Sequence, residues 1–275
     1  MSPIDRLSLN QKTVNALGVM ESVDLCQRHN IASIGLWREP VAEHGLDATV
    51  ELIKKAGLRV SSLCRGGWFT ETGPAFEDAI EENRRAIEEA QALEAACLCL
   101  VVGGLPDGSK DLDGARDQVR RALGLLVPYA VDRGVTLALE PMNPIYAADR
   151  GVLSTLGQAL DLCESYGPEV GVMVDSFHVW WDPQLHDQLQ RAGSRIVSYQ
   201  VCDWITPLPA DTLLARGMMG DGHIDFATLG SWVADAGYTG DIEVEIFNAD
   251  IWATDPDQVM ATMIDRYTRT SDAAD

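Results

Sequence analysis

The sequence has little positive charge. Lys and Arg total 21 against 42 Asp and Glu, leaving a net charge of −21. Such a field repels a nucleic-acid backbone unless a local basic patch overrides it. The nearest thing to a patch, Arg84-Arg85, lies embedded among glutamates, so no nucleic-acid partner is expected. No Cys-x-x-Cys pair occurs. The six cysteines sit mostly inside apolar runs, where a thiol acts as a small hydrophobe, so reduced thiols in a cytoplasmic protein are expected. No run approaches the ~18 apolar residues of a transmembrane helix, and the opening MSPIDRLSLNQ has no apolar segment of signal-peptide type. Nor does a Ser/Gly-rich linker or composition break divide the chain, so residues 1–275 are read as one domain large enough to bury a substantial core.

What is present is a repeating pattern. Short β-branched or apolar runs fall at residues 6–9, 33–37, 59–64, 97–102, 135–140, 171–175, 196–201 and 242–247, each followed by helical periodicity. A helix over 74–93 carries Phe76, Ile80, Ile87 and Leu93 on one side and a Glu81/Arg85 pair on its solvated side. Ser154 is the expected cap of another helix, Asp255-Pro256 opens the last, and Pro128 predicts a kink within a third. Eight strands alternating with helices predict a single closed parallel (β/α)8 TIM barrel. The runner-up, an open doubly wound sheet, would be of interest with a G-x-G-x-x-G fingerprint after the first strand, and none is there.

Alternate strand residues face the barrel axis. In four strands one face is uniformly apolar, while the other ends at the carboxyl end of the strand in Glu140, Asp175, Gln200 or Glu245. Active sites of this fold lie at that end. Three converging carboxylates repel one another unless something positive sits among them. A divalent cation is the simple solution, and three carboxylates with an amide oxygen form a hard site suited to Mn²⁺ or Mg²⁺. Glu243 shares this parity but lies deeper, as a supporting or ion-paired residue. Arg38 and Arg65 follow the second and third strands as candidates to grip a polyol or an acid, and Trp37, Trp68, Trp180 and Trp181 are candidate walls for a sugar face.

The ordered set LALEP (137–141), VDSFH (174–178), QVCD (200–203), RGMMGDGHIDF (216–226) and IEVEIF (242–247) resembles the xylose isomerase-like barrels, in particular the sugar phosphate isomerase/epimerase group and its ketose 3-epimerases. The resemblance implies one metal held at Glu140, Asp175 and Glu245. The family's fourth ligand, a His, falls on Gln200, a departure that puts a weaker, neutral amide oxygen at that position. It further implies His178 and Arg216 as substrate-binding residues, and Glu140 and Glu245 as the catalytic base and acid of proton transfer beside a carbonyl, through an enediolate. The same intermediate can instead expel a β-substituent. The alternative is therefore a lyase, either a keto-sugar or inosose dehydratase or the catalytic subunit of a C-glycoside deglycosidase acting on 3-keto-glycosides. The partner expected is a small carbohydrate, with no membrane, and a homo-oligomer or a small partner subunit is allowed. An abasic-site endonuclease shares the superfamily, but it needs a His-rich multi-zinc site and a basic groove, and five His in so acidic a chain argue against it.

Overall fold

The computed structural model describes residues 3–272. Eight parallel strands close into a barrel: β1 (Leu7–Asn10), β2 (Ser33–Trp37), β3 (Arg59–Gly67), β4 (Leu98–Val101), β5 (Leu137–Leu139), β6 (Val170–Asp175), β7 (Ile196–Val201) and β10 (Ile242–Val244). A two-stranded antiparallel ribbon, β8 (Asp203–Trp204) and β9 (Arg216–Gly217), leaves the carboxyl end of β7. Around the barrel run α1 (Val19–Arg28), α2 (Arg38–His44), α3 (Leu46–Ala56), α4 (Pro74–Ala92), α5 (Leu112–Val131), α6 (Leu156–Cys163), α7 (Ser176–Val179), α8 (Leu185–Ala192), α9 (Phe226–Asp235), α10 (Ala249–Trp252) and α11 (Pro256–Asp272). The eight strands predicted from periodicity are the eight that form the barrel. Among the described residues no helix is long and apolar enough to cross a membrane.

Some local expectations are corrected. The cap of α6 is Thr155, whose hydroxyl accepts from Gln158 N–H at 3.2 Å, while Ser154 N–H donates to the Gln158 side chain. On α4 the ion pairs run three apart, Arg84 to Glu81 and Arg85 to Glu82, in place of Glu81 with Arg85. Pro128 lies inside a helix as expected, with α5 running on to Val131.

The barrel interior is polar at mid-depth. Strand register places Glu243 beside both Gln200 and Ser8. The buried Glu243 carboxylate accepts from Asn10 Nδ2 at 2.5 Å, Ser61 Oγ at 2.5 Å, Ser62 Oγ at 2.9 Å and Gln200 Nε2 at 2.8 Å. It has these four neutral donors and, among the described residues, no ion pair, so of the two roles expected for it the supporting one is realised. Gly35 leaves it room: a Cβ there would fall 2.4 Å from Glu243 Oε1.

A second buried carboxylate fixes the loop above the barrel. Asp203 accepts from the backbone N–H groups of Trp204, Gly220, Gly222 and Ile224 at 2.7–3.0 Å. Gly222 is required by close approach, since a Cβ would meet Trp204 O at 2.2 Å. This clamp holds the turn that follows Arg216. Asp203→Asn swaps an acceptor oxygen for a donor and leaves buried N–H groups facing it. We expect a loss of about 1–3 kcal/mol in urea unfolding at pH 7, and unchanged stability would show that the clamp is not needed.

Candidate active site

A cavity of about 240 Å³ opens at the carboxyl end of the barrel. Its wall takes Lys12 from the turn after β1, Trp37 from β2, Arg65 from β3, Glu140 after β5, His178 from α7, Arg216 from β9 and Glu245 after β10. Asp175, fully buried at the end of β6, lies against this wall through Arg216 and His178. Its two oxygens are committed in different directions: Oδ1 caps α7 by accepting from Phe177 N–H at 2.8 Å, and Oδ2 accepts from Arg216 Nη1 at 2.8 Å.

Arg216 is the centre of the arrangement. Only 2% exposed, it also lies 3.2 Å from Glu245 Oε2, and its Nη2 lies 3.2 Å from His178 Nε2. Its guanidinium is stacked between Phe177 and Phe247, 4.6 and 5.3 Å from their ring centroids. Burial works against its charge, but the neighbouring Asp175 and Glu245 more than offset that and hold its pKa well above the ordinary arginine value. Its Nε is buried without a hydrogen-bond partner.

The carboxylates facing the cavity are under-compensated. Burial, then the charge of Asp175, pushes Glu140 up to about 7, with Arg216 opposing. Its one close donor is the thiol of Cys99, 3.2 Å from Oε2. Burial likewise raises Glu245 well above the usual carboxylate range. His178 is driven the other way, to about 3 by burial, and is neutral at pH 7. Its Nδ1 faces the backbone N–H of Asn143 at 3.2 Å, while its Nε2 lies 3.5 Å from Glu140 Oε1. Both ring nitrogens thus face N–H donors, and a neutral imidazole accepts at only one. The Asn143 N–H is fixed by the backbone and Arg216 is a side chain, so we place the ring proton on Nε2.

Among the described residues, Glu140, Asp175 and His178 form the group able to hold a metal, each offering a ligand atom within 4.8 Å of the others. Two observations show that a divalent cation fits. Three carboxyl groups face one guanidinium and a neutral ring; once all three ionise they carry an excess of two negative charges, which one such ion would cancel. Gln200 Oε1, turned away from the carboxylate that takes its Nε2, is buried without a partner, as an oxygen ligand would be.

Of the other residues selected from sequence, Arg65 lines the cavity, 4.8 Å from the Trp68 ring centroid. Arg38 does not: it pairs with Glu89 at 2.5 Å and Glu82 at 2.8 Å on α4 and is held on the outside. Trp180 packs on Trp204 at 5.8 Å and lines a different hollow with Leu185 and Trp232. Gln200, the expected fourth ligand, is tied through its nitrogen to Glu243 and lies outside the cavity lining. Sequence reading missed Asn10, Cys99, Lys12 and Arg150. The first two were detectable, since Asn10 ends a barrel strand and Cys99 alternates with Cys97 across β4; the others sit in turns and loops without periodicity.

A description of the xylose isomerase-like TIM barrel matches residues 16–269. The chain belongs to that family. A curated relative of this xylose isomerase-like barrel is a ketose 3-epimerase from Arthrobacter globiformis, 26% identical over 232 residues that span 79% of this chain and 70% of that protein. Among solved structures, a protein from Sinorhizobium meliloti 1021 is 46% identical, with a TM-score of 0.94 over 97% of this chain and 98% of the other. An IolI protein with a bound zinc atom, 20% identical, shares the fold with a TM-score of 0.82 over 98% of both chains.

The raised Glu140 has a testable sign. Its proton is held more tightly in the folded protein (about 7) than in the unfolded chain (4.5), so its contribution is complete below 4.5 and lost as pH rises to about 7. His178 works in the opposite direction and cancels in a comparison of two proteins that both carry it. In chelator-treated protein, Glu140→Gln should therefore gain on the wild type by roughly 3 kcal/mol between pH 4.5 and 7. Denaturant curves that keep a constant gap between the two proteins would contradict this.

Proposed function

We propose that this chain is a divalent-metal-dependent sugar isomerase or epimerase that moves a proton beside a carbonyl through an enediolate. The observation that carries the reading is the pair Glu140 and Glu245, buried and raised in pKa on the wall of one cavity, with Arg216 and His178 beside them. The ketose 3-epimerase relative supports the same substrate class, a small carbohydrate.

A carboxyl near 7 at neutral pH is balanced between taking and giving a proton, as general acid–base catalysis requires. Glu140 is the base that removes the proton next to the carbonyl. Glu245, held by Asn10 Nδ2 at 3.1 Å, returns one as acid. His178 donates from Nε2 to a substrate hydroxyl, and the unpartnered Arg216 Nε supplies a second N–H to a substrate oxygen. Glu140, Asp175 and Glu245, with the free amide oxygen of Gln200, are the residues that would hold the cation, and their hard oxygens suit Mn²⁺ or Mg²⁺. When bound, that ion supplies charge stabilisation for adjacent substrate oxygens as the enediolate forms. Arg216 engages oxygens of both Asp175 and Glu245, so it would compete with a cation for them.

Of the tryptophans expected to wall a sugar face, Trp37 and Trp68 line the cavity and Trp180 lies outside it, so the lyase alternative gains no observation of its own.

With Mn²⁺ present, a ketose substrate such as D-fructose should acquire solvent deuterium at the carbon beside its carbonyl. Glu140→Gln should lower kcat by ~10²–10⁴-fold and weaken Mn²⁺ binding in calorimetry by about tenfold or more. His178→Gln should cut turnover while leaving Mn²⁺ affinity within about threefold. Full activity of Glu140→Gln, with product free of solvent deuterium, would end the proton-transfer reading. Loss of Mn²⁺ binding in His178→Gln would make the imidazole a metal ligand.

A further inference from the structure

In a chain of net charge −21, the cavity wall carries four basic residues, Lys12, Arg65, Arg150 and Arg216. Arg216 is committed to Asp175 and Glu245; the other three are not neutralised in that way. Lys12 Nζ sits 4.7 Å from the Trp37 ring centroid and donates to the neutral amide of Asn15. Arg65 rests on Trp68 and, among the described residues, has no ion pair. Arg150 lies 5.8 Å from the Tyr146 ring centroid; its Nε is 3.7 Å from Asp149 and is buried without a hydrogen-bond partner. An aromatic face holds a cation in place without cancelling its charge. Arg150 and Arg216 both line the cavity, and each keeps a buried Nε–H without a hydrogen-bond partner.

The support for Arg65 is itself constrained. Trp68 lies at φ 61°, a conformation that a residue of its bulk rarely adopts, and its N–H is bonded to Val101 O at 2.9 Å. The acidic residues of the wall do not remove the imbalance. Glu140 and Glu245 are buried among the groups already described, which leaves exposed Glu39 as the further acid on the wall, while Asp149, off the wall and exposed, pairs loosely with Arg150 at 3.7 Å.

Resting on the isomerase/epimerase reading, we propose that the substrate is a keto-sugar acid whose carboxylate is bound by Arg65, Arg150 and Lys12. A phosphate ester is the competing anion. Barrels of this fold hold phosphate on backbone N–H groups of the loops after strands 7 and 8. Here the cations follow strands 1, 3 and 5 of the barrel, and each offers a side chain. The cavity, about 240 Å³, suits a single sugar unit.

The test uses one sugar with three ends: D-fructose, D-fructuronate and D-fructose 6-phosphate, on the Mn²⁺-loaded full chain. Both kcat/KM from deuterium uptake and dissociation constants from calorimetry are measured. The acid should be preferred over the neutral ketose by about tenfold or more, and an Arg65→Gln/Arg150→Gln double variant should shrink that ratio by about tenfold. Equal handling of acid and neutral sugar, with no change of ratio in the variant, overturns the proposal. Continued deuterium uptake in that case leaves the isomerase/epimerase reading standing. Preference for the phosphate ester over the acid overturns the carboxylate assignment. If no sugar exchanges deuterium, the isomerase/epimerase reading fails, and the dissociation constants still decide whether the cavity selects an anion.

Discussion

The ion pair from Arg216 to Asp175, with Glu245 beside it, is the contact on which the upper half of the barrel depends. A carboxylate as deeply buried as Asp175 is costly unless paired and hydrogen-bonded. Arg216 supplies the charge, and the rest of the local structure supplies Arg216. Phe177 and Phe247 sandwich its plane, Asn248 Nδ2 donates to its backbone oxygen at 2.8 Å, and Asp203 pins the turn that follows it. The loop that carries Arg216 is thus fixed by a second buried carboxylate that faces only backbone N–H groups.

Below this layer the same problem has another solution. Glu243 is buried and, among the described residues, has no cation beside it; hydroxyls and amides satisfy it, and Gly35, lacking a side chain, leaves it room. Asn10 joins the layers, donating from one nitrogen to both Glu243 and Glu245 while its oxygen accepts from Trp37 Nε1. Gln200 has a physical place in this scheme. Glu243 can only accept, so the amide nitrogen turns to it and the amide oxygen is left free. Gln200 therefore serves the lower carboxylate through its nitrogen and keeps a buried oxygen without a partner.

The barrel and the axis-facing residues were legible because strand parity is local. Alternation within β6 and its neighbours is enough to place Asp175, Glu140, Glu245 and Gln200 on one face. Contacts set by the path of loops and by distant helices were not. Arg38 follows β2 as a site residue would, yet its partners Glu82 and Glu89 lie far along the chain on α4. Trp180 closely follows Asp175 in sequence, but α7 carries it past the cavity toward Trp204. Arg150 belongs to the long connection after β5, where no period constrains a side chain. Its relevance appears only when the backbone brings it back to the barrel mouth.

The contrast between Glu140 and Glu243 shows how this fold separates a reactive carboxyl from a structural one. Both are buried glutamates, in strand ladders of the same parity. Glu243 accepts from four oxygen- and nitrogen-bearing donors. Glu140 has one close donor, the weakly donating thiol of Cys99, and shares its surroundings with Asp175. Burial without compensation lifts it to about 7, where a proton is exchanged at little cost in either direction. Replacing Cys99 by a better donor would bring Glu140 closer to the condition of Glu243. A thiol in this barrel strand is therefore more than a core hydrophobe: it is a donor weak enough to leave the carboxyl unsatisfied until a ligand arrives.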